Sequence, residues 1–290
     1  MWLKLKYRKR GINIEVLIIL ILLIFLKWQN DGIKISRYEY QNSKIAEGFN
    51  GYKIVQISDL HNKNFKGRLS KKIKAEKPDM IVITGDIIYR RKIKLDLVSE
   101  FLEEIKEIAP IYYVSGNHEF LSGTYNEVKE LLERENVKIL DNSFIVIEKG
   151  KDKIGLMGLE DPTSRRNPKY YTSKNNREYM KKSIEKLSKL RNTDFTILLA
   201  HRPEQFKLYV EEKFDLVFTG HAHGGQIRLP FIGGLFSPNQ GIFPKYTCGI
   251  YKEDETSMLV SRGLGGSAFP FRLFNRPDLV VLTLKSCNIW

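Results

Sequence analysis

Five apolar, strand-like runs in this chain each end on side chains suited to binding a metal, and that repetition restricts the fold more than any other feature. The runs are Ile54-Val55-Gln56-Ile57-Ser58-Asp59-Leu60-His61, Met80-Ile81-Val82-Ile83-Thr84-Gly85-Asp86, Ile111-Tyr112-Tyr113-Val114-Ser115-Gly116-Asn117-His118-Glu119, Thr196-Ile197-Leu198-Leu199-Ala200-His201 and Leu216-Val217-Phe218-Thr219-Gly220-His221-Ala222-His223. All 5 histidines of the chain lie at these ends. Core histidines are not distributed that way. Taken singly, His201 at a strand end is more often a hydrogen-bonded structural residue; the joint pattern argues otherwise.

In an extended chain successive side chains alternate faces, so Asp59 with His61, and His221 with His223, are expected to project as chelating pairs. In open α/β sheets the reactive crevice lies outside the carboxyl ends of the strands, where all five clusters fall if the strands are parallel neighbours. One pocket then holds Asp59, His61, Asp86, Asn117, His118, His201, His221 and His223. That donor set exceeds the three or four protein ligands of a single zinc site and contains no cysteine. Two divalent ions account for it more simply, with manganese, zinc and iron all compatible. Asp86, alone at its strand end behind Gly85, is the candidate bridge. Metals roughly 3.5–4 Å apart clamp the attacking and leaving oxygens of an in-line displacement, which is hydrolytic phosphoester chemistry.

Asp59-x-His61, Gly85-Asp86, Gly116-Asn117-His118-Glu119, His201 and Gly220-His221-Ala222-His223 resemble, in order and spacing, the five signature blocks of the calcineurin-like metallophosphoesterases. Five agreeing blocks are far more specific than one motif. The resemblance implies an α/β fold built as a two-sheet β-sandwich flanked by helices. It also implies that Asp59, His61, Asp86 and His223 hold one metal while Asp86, Asn117, His201 and His221 hold the other. His118 is then left for catalysis, as a general acid acting on the phosphate or leaving group. The segments 224–230, 261–266 and 271–277 are similar to the membrane-associated bacterial branch. That branch includes cell-envelope phosphoesterases and a UDP-2,3-diacylglucosamine pyrophosphatase of lipid A synthesis. Arg262 and Arg272 in these segments are candidate phosphate contacts, since an arginine fork suits phosphate, though each can equally be a solvated surface charge.

The ligands span Asp59 to His223 and must converge, so one catalytic domain over residues 52–290 is expected, preceded by a lead-in segment over 31–51 and an anchor over 1–30. Helical periodicity over 66–76, 95–108, 125–135, 176–190 and 204–211 alternates with the strands. Further strands are expected over 144–148, 153–158, 257–260 and 279–284, enough for a second, mixed sheet.

The N-terminus differs in kind. Lys4, Lys6, Arg8, Lys9 and Arg10 precede the apolar run 16–26, which Lys27 and Trp28 close. The stretch 12–26 makes about 22 Å of helix against a hydrocarbon core of about 30 Å, so it is short for a span. With no small-x-small cleavage site after it, an uncleaved anchor is expected, with a transmembrane helix as one form of it. The basic flank favours a catalytic domain outside the cytoplasm. A monotopic anchor facing the cytoplasm is the alternative. Residues 1–27 carry a net charge of +5, so +9 of the chain's +14 lies on the rest. That sign suits a membrane lipid bilayer and a phosphate-containing, lipid-linked substrate, whereas no nucleic-acid-binding module is recognisable. The two cysteines are too few for a disulfide framework.

The leading functional expectation is a membrane-anchored, two-metal hydrolase of an amphipathic or envelope phosphate ester or pyrophosphate, with UDP-2,3-diacylglucosamine hydrolysis as one form. A phosphodiesterase or phosphomonoesterase for small soluble substrates is the alternative. An inactive binding scaffold would be expected to have lost a ligand, and none is missing.

Overall fold

A computed structural model describes residues 2–164, 173–266, 269 and 271–287, with side chains described from 14 in the first helix and from 176 in the sixth. Two six-stranded sheets stack face to face. The first contains β1 (Lys34–Asn42), β2 (Lys53–Ile57), β3 (Met80–Thr84), β4 (Ile111–Val114), β5 (Lys138–Ile139) and β16 (Asp278–Ser286), in the order β1-β16-β2-β3-β4-β5. The second contains β6 (Ser143–Lys149), β7 (Asp152–Gly158), β8 (Thr196–Leu199), β9 (Leu216–Thr219), β14 (Gly249–Glu253) and β15 (Thr256–Val260), in the order β14-β15-β9-β8-β7-β6. Two short hairpins sit between β9 and β14: β10 (Arg228–Leu229) with β11 (Gly233–Gly234), and β12 (Phe236–Ser237) with β13 (Gly241–Ile242).

The strands that carry ligands are all parallel where they pair: β2 with β3, β3 with β4, and β8 with β9. Their side chains are buried without a break from Met80 to Thr84, Thr196 to Leu199 and Leu216 to Thr219, because both faces of each sheet are covered. Between the sheets Ile54, Val82 and Val114 meet Leu156, Ile197 and Phe218. On the outer face of the first sheet pack α2 (Arg68–Glu76), α3 (Leu95–Ile105) and α5 (Tyr125–Arg134), through Ile73, Leu102 and Leu132. On the outer face of the second pack α6 (Ser173–Ser188) and α7 (Phe206–Glu211), through Ile184 and Phe206. The order of layers is therefore helix, sheet, sheet, helix, and both sheets deliver the carboxyl ends of their parallel strands to one edge.

The segment expected as a lead-in, 31–51, supplies β1, which pairs parallel with β16 over nine residues and is part of the first sheet. The expected N-terminal helix is present as α1 (Trp2–Asp31), but among the described residues no helix is long and apolar enough to cross a membrane. The transmembrane expectation is corrected to that extent; the side chains of Lys4, Lys6, Arg8, Lys9 and Arg10 lie outside those described.

Candidate metal centre

The ligand-bearing segments begin where their strands stop. After β2 the chain enters left-handed conformations at Asp59 (φ 50°), His61 (φ 50°) and Asn62 (φ 55°). After β3 it does so at Gly85 (φ 84°) and Asp86 (φ 53°), and after β9 at His221 (φ 63°) and His223 (φ 48°). The pairs therefore converge through tight left-handed turns and not through the alternation of an extended strand. Such positions cost about 1–3 kcal/mol each, and Asp and His tolerate them better than most residues. The turns hold each other: Asp59 N–H donates to Gly85 O and His61 N–H to Asp86 O, each at 3.1 Å, while Gly220 N–H donates to His201 O at 3.2 Å. Two glycines permit the approach. A Cβ on Gly85 would lie 2.6 Å from the Gly116 backbone, and one on Gly220 would lie 1.8 Å from Ser58 Oγ.

The result is a buried double cluster. Asp59, His61, Asp86 and His223 offer ligand atoms within 4.8 Å of one another, as do Asp86, His201 and His221, so Asp86 belongs to both. Its Oδ2 lies 3.8 Å from His61 Nε2 and 3.3 Å from His201 Nε2. Its Oδ1 accepts from the His118 N–H at 2.7 Å. Asp59 is held from the opposite sheet by the His221 N–H, at 3.2 and 3.1 Å from its two oxygens, and by the Ser58 hydroxyl at 2.6 Å.

The donors fit two divalent cations. His221 Nε2 lies between Asn239 Oδ1 at 2.9 Å and Arg202 Nη1 at 3.0 Å, while His61 Nδ1 gives its proton to Ile88 O at 3.1 Å and His201 Nδ1 to Thr84 O at 2.7 Å. Outer hydrogen bonds of this kind fix the tautomer and leave the inner nitrogen as a lone pair. His201 Nε2 and His221 Nδ1 face each other at 3.2 Å, and His61 Nε2 lies 3.2 Å from His223 Nε2. Two nitrogens bound tetrahedrally to one zinc-sized ion at about 2.0–2.1 Å sit about 3.3 Å apart. Asn117 Oδ1 and His223 Nδ1 are buried without a hydrogen-bond partner, and a carbonyl oxygen in that state is a ready ligand.

Electrostatics agree. Burial, with the nearby His118, lowers His61 to about 4, and burial holds His221 and His223 well below the usual histidine range, so these imidazoles are neutral, the form that ligates. His201 goes the other way. Burial opposes its charge, but Asp86, Asp59 and Asp161 raise it to about 10. The same field that draws a proton to His201 favours a cation at this point. Asp86 stays ionised against burial because His201 and His118 flank it.

His118 opens α4 (Asn117–Ser122), with its Nε2 3.9 Å from Asp86 Oδ2. A backbone group orients it: its Nδ1 accepts the Arg90 backbone N–H at 3.2 Å. The proton therefore sits on Nε2, on the side facing Asp86. Arg272 is placed differently from a phosphate contact. It is 3% exposed, and its guanidinium donates to the backbone oxygens of Gly265, Arg262 and Asn275. No donor is left over for a substrate, which corrects that expectation. Arg262 Nε lies 3.8 Å from Asp278 Oδ2.

Three supporting residues escaped the sequence reading. Glu119 accepts from the backbone N–H groups of Gly116 (2.7 Å), Asp86 (2.9 Å) and Ile88 (3.3 Å), and so clamps two ligand turns together. Its position inside the Gly-Asn-His-Glu block was the available signal. Asn239 sits on His221 from the β12–β13 hairpin, and nothing near it in sequence marks it. Arg202, next to His201, forms a buried fork on Asp161, at 2.6 and 3.1 Å, and donates to Asn239 Oδ1 at 2.7 Å.

A calcineurin-like phosphoesterase family model matches residues 52–225, more than half of the chain. The chain belongs to the calcineurin-like phosphoesterase family. Among its relatives is the metallophosphoesterase YkuE of Bacillus subtilis (strain 168), 32% identical over 269 residues that cover 88% of this chain and 87% of the relative. Phosphodiesterase YaeI of Escherichia coli (strain K12) is 28% identical, over 80% of this chain and 82% of its own. A transmembrane protein with metallophosphoesterase domain from Danio rerio is 28% identical, over 87% of this chain and 57% of its own length. This member of the family is thus a metal-dependent phosphoester hydrolase, with a buried, dinuclear-type Asp/His cluster.

Proposed function

We propose that this phosphoesterase uses two metal ions to hydrolyse an amphipathic phosphate ester or pyrophosphate at a membrane. The observation that carries the reading is Asp86 Oδ2 facing His61 and His201, one from each donor cluster. Asp59, His61, Asp86 and His223 would hold one ion; Asp86, Asn117, His201 and His221 the other. Bound there, the pair would polarise the phosphoryl oxygens and lower the pKa of a water. The chain's own contribution is orientation and hydrogen bonding. Glu119 fixes the Asp86 and Asn117 turns, Asn239 fixes the His221 ring, and His118 presents a neutral Nε2–H to a phosphate oxygen. Burial, opposed by Asp86 and helped by Arg90, keeps His118 below the usual histidine range, which suits that donor role.

The membrane half of the reading is supported by α1, where Ile14, Val16 and the residues from Leu17 to Ile24 are each at least half exposed. The name of the Danio rerio relative, a transmembrane protein, and the resemblance to the diacylglucosamine pyrophosphatase branch point the same way. Activity of the chelated and then manganese- or zinc-reloaded protein on phosphomonoesters, phosphodiesters and lipid pyrophosphates tests it. Chelation should abolish turnover, reloading should restore it, and lipid-linked substrates should be preferred. Activity indifferent to chelation would refute the metal role, and a preference for soluble monoesters the substrate class.

A further inference from the structure

We propose that α1 and the β10–β13 hairpins form one face that docks on an anionic lipid surface and presents phosphates from that surface to the metal centre. The inference rests on the phosphoesterase reading above and adds the surface from which the substrate comes.

The hairpins display apolar side chains where soluble loops carry polar ones. Phe231 is 110% exposed, Ile232 59%, Phe236 50%, Ile242 73% and Phe243 65%, and Phe274 alongside is 52% exposed. Three of these phenylalanines hold left-handed backbone, at φ 65° for Phe231 and 53° for Phe243 and Phe274. Bulky residues rarely occupy such positions, so the chain carries local strain as well as exposed rings. Exposed apolar side chains grouped on neighbouring hairpins, uncovered by the other described residues, mark an interaction surface.

The face is continuous with α1. Phe25 packs on Phe274 with ring centroids 5.8 Å apart, and Arg276 stacks 4.5 Å over Trp28. Arg228 N–H donates to Leu273 O at 3.0 Å, which joins the first hairpin to the same loop. Between this loop and α1 lies a cavity of about 520 Å³, bounded by Leu23, Leu26 and Phe271 together with Lys27 and Lys63. Lys63 is already paired with Asp31 at 3.3 Å, so the apolar walls and the Lys27 ammonium are what match an acyl chain and its anionic headgroup. Charge selects the same occupant. Residues 216–252 and 256–277 contain no Asp or Glu, although the chain has 34. A protein partner of mixed charge explains neither that depletion nor the run of exposed apolar side chains from Val16 to Ile24 of α1, whereas an anionic bilayer explains both.

The link to catalysis is Asn239, which lies between Phe236 and Ile242 on the second hairpin and places its Oδ1 2.9 Å from His221 Nε2. The hairpin that carries these exposed side chains therefore also touches a ligand of the metal centre, and lipid phosphates lie where docking places it.

The full-length chain tests this in two ways. Phe231→Trp and Phe243→Trp are each mixed with phosphatidylcholine–phosphatidylglycerol vesicles whose acyl chains are brominated. The emission added above that of the three native tryptophans is expected to be quenched. Added emission that stays unquenched, while the native emission is quenched or not, overturns the proposal. Separately, Phe231→Asp with Ile232→Asp is expected to lower hydrolysis of a vesicle-embedded phosphate ester by about tenfold or more, the loss of a concentrating surface. Hydrolysis of soluble bis(p-nitrophenyl) phosphate is expected to be unchanged. Equal effects on both esters, or none on either, overturn it. A wild type active on the soluble diester but not on the vesicle ester overturns presentation alone. A metal-loaded wild type inactive on both refutes the phosphoesterase reading instead, and quenching, which needs no turnover, still reports docking.

Discussion

At His118 the Arg90 backbone N–H occupies Nδ1, so the ring meets the substrate as a neutral donor through Nε2. An imidazolium would need a proton on the nitrogen that already accepts. His118→Ala should therefore leave both metals bound and reduce turnover by roughly 10²–10³, the usual loss for one donor aimed at developing charge. The loss should be similar for nitrophenyl and alkyl leaving groups. A much smaller loss with the nitrophenyl ester would show that the ring protonates the leaving oxygen, the general-acid role the sequence suggests. Glu119 illustrates the other kind of residue at this scale. Burial, with Asp86 beside it, raises it to about 8, yet its three backbone hydrogen bonds are what hold two ligands in place.

Among the elements, the buried parallel strands were legible because a strand covered on both faces must be apolar throughout, and their ends are where ligands collect. β1 was not legible. Its sequence Lys34-Ile35-Ser36-Arg37-Tyr38-Glu39-Tyr40 is half-exposed along an edge, so it lacks the apolar run that marked the others. The turns were misread for a different reason: a left-handed backbone at Asp59 or His223 leaves no trace in residue spacing, so alternation appeared to explain a convergence that φ angles produce. Arg272 was misread because a sequence cannot show that a guanidinium is consumed by backbone carbonyls. Its removal tests this at the element scale. Arg272→Ala should strand three buried carbonyl groups and destabilise the fold by about 3 kcal/mol or more, at about 1–3 kcal/mol for each unpaired group. Thermal unfolding should show the loss, with KM for soluble esters unchanged at temperatures where the variant is folded. A stable variant with raised KM would restore Arg272 as a phosphate contact.

For the whole molecule, two sheets contribute to one centre, and α1 adds apolar side chains from Val16 to Ile24 that the other described residues leave exposed. The net charge of +14 and the exposed apolar side chains from Val16 to Ile24 of α1 together predict partition into the membrane fraction, released by detergent and not by high salt. Release by salt alone would mean that charge, and not α1, holds the protein there. Both cation sites depend on one carboxylate that spans the seam between the sheets. Metal counting on purified protein, wild type beside Asp86→Asn, therefore tests the account most directly. It predicts two ions per wild-type chain, a lower count in the variant and almost no turnover. Two ions retained in Asp86→Asn with activity unchanged would contradict it.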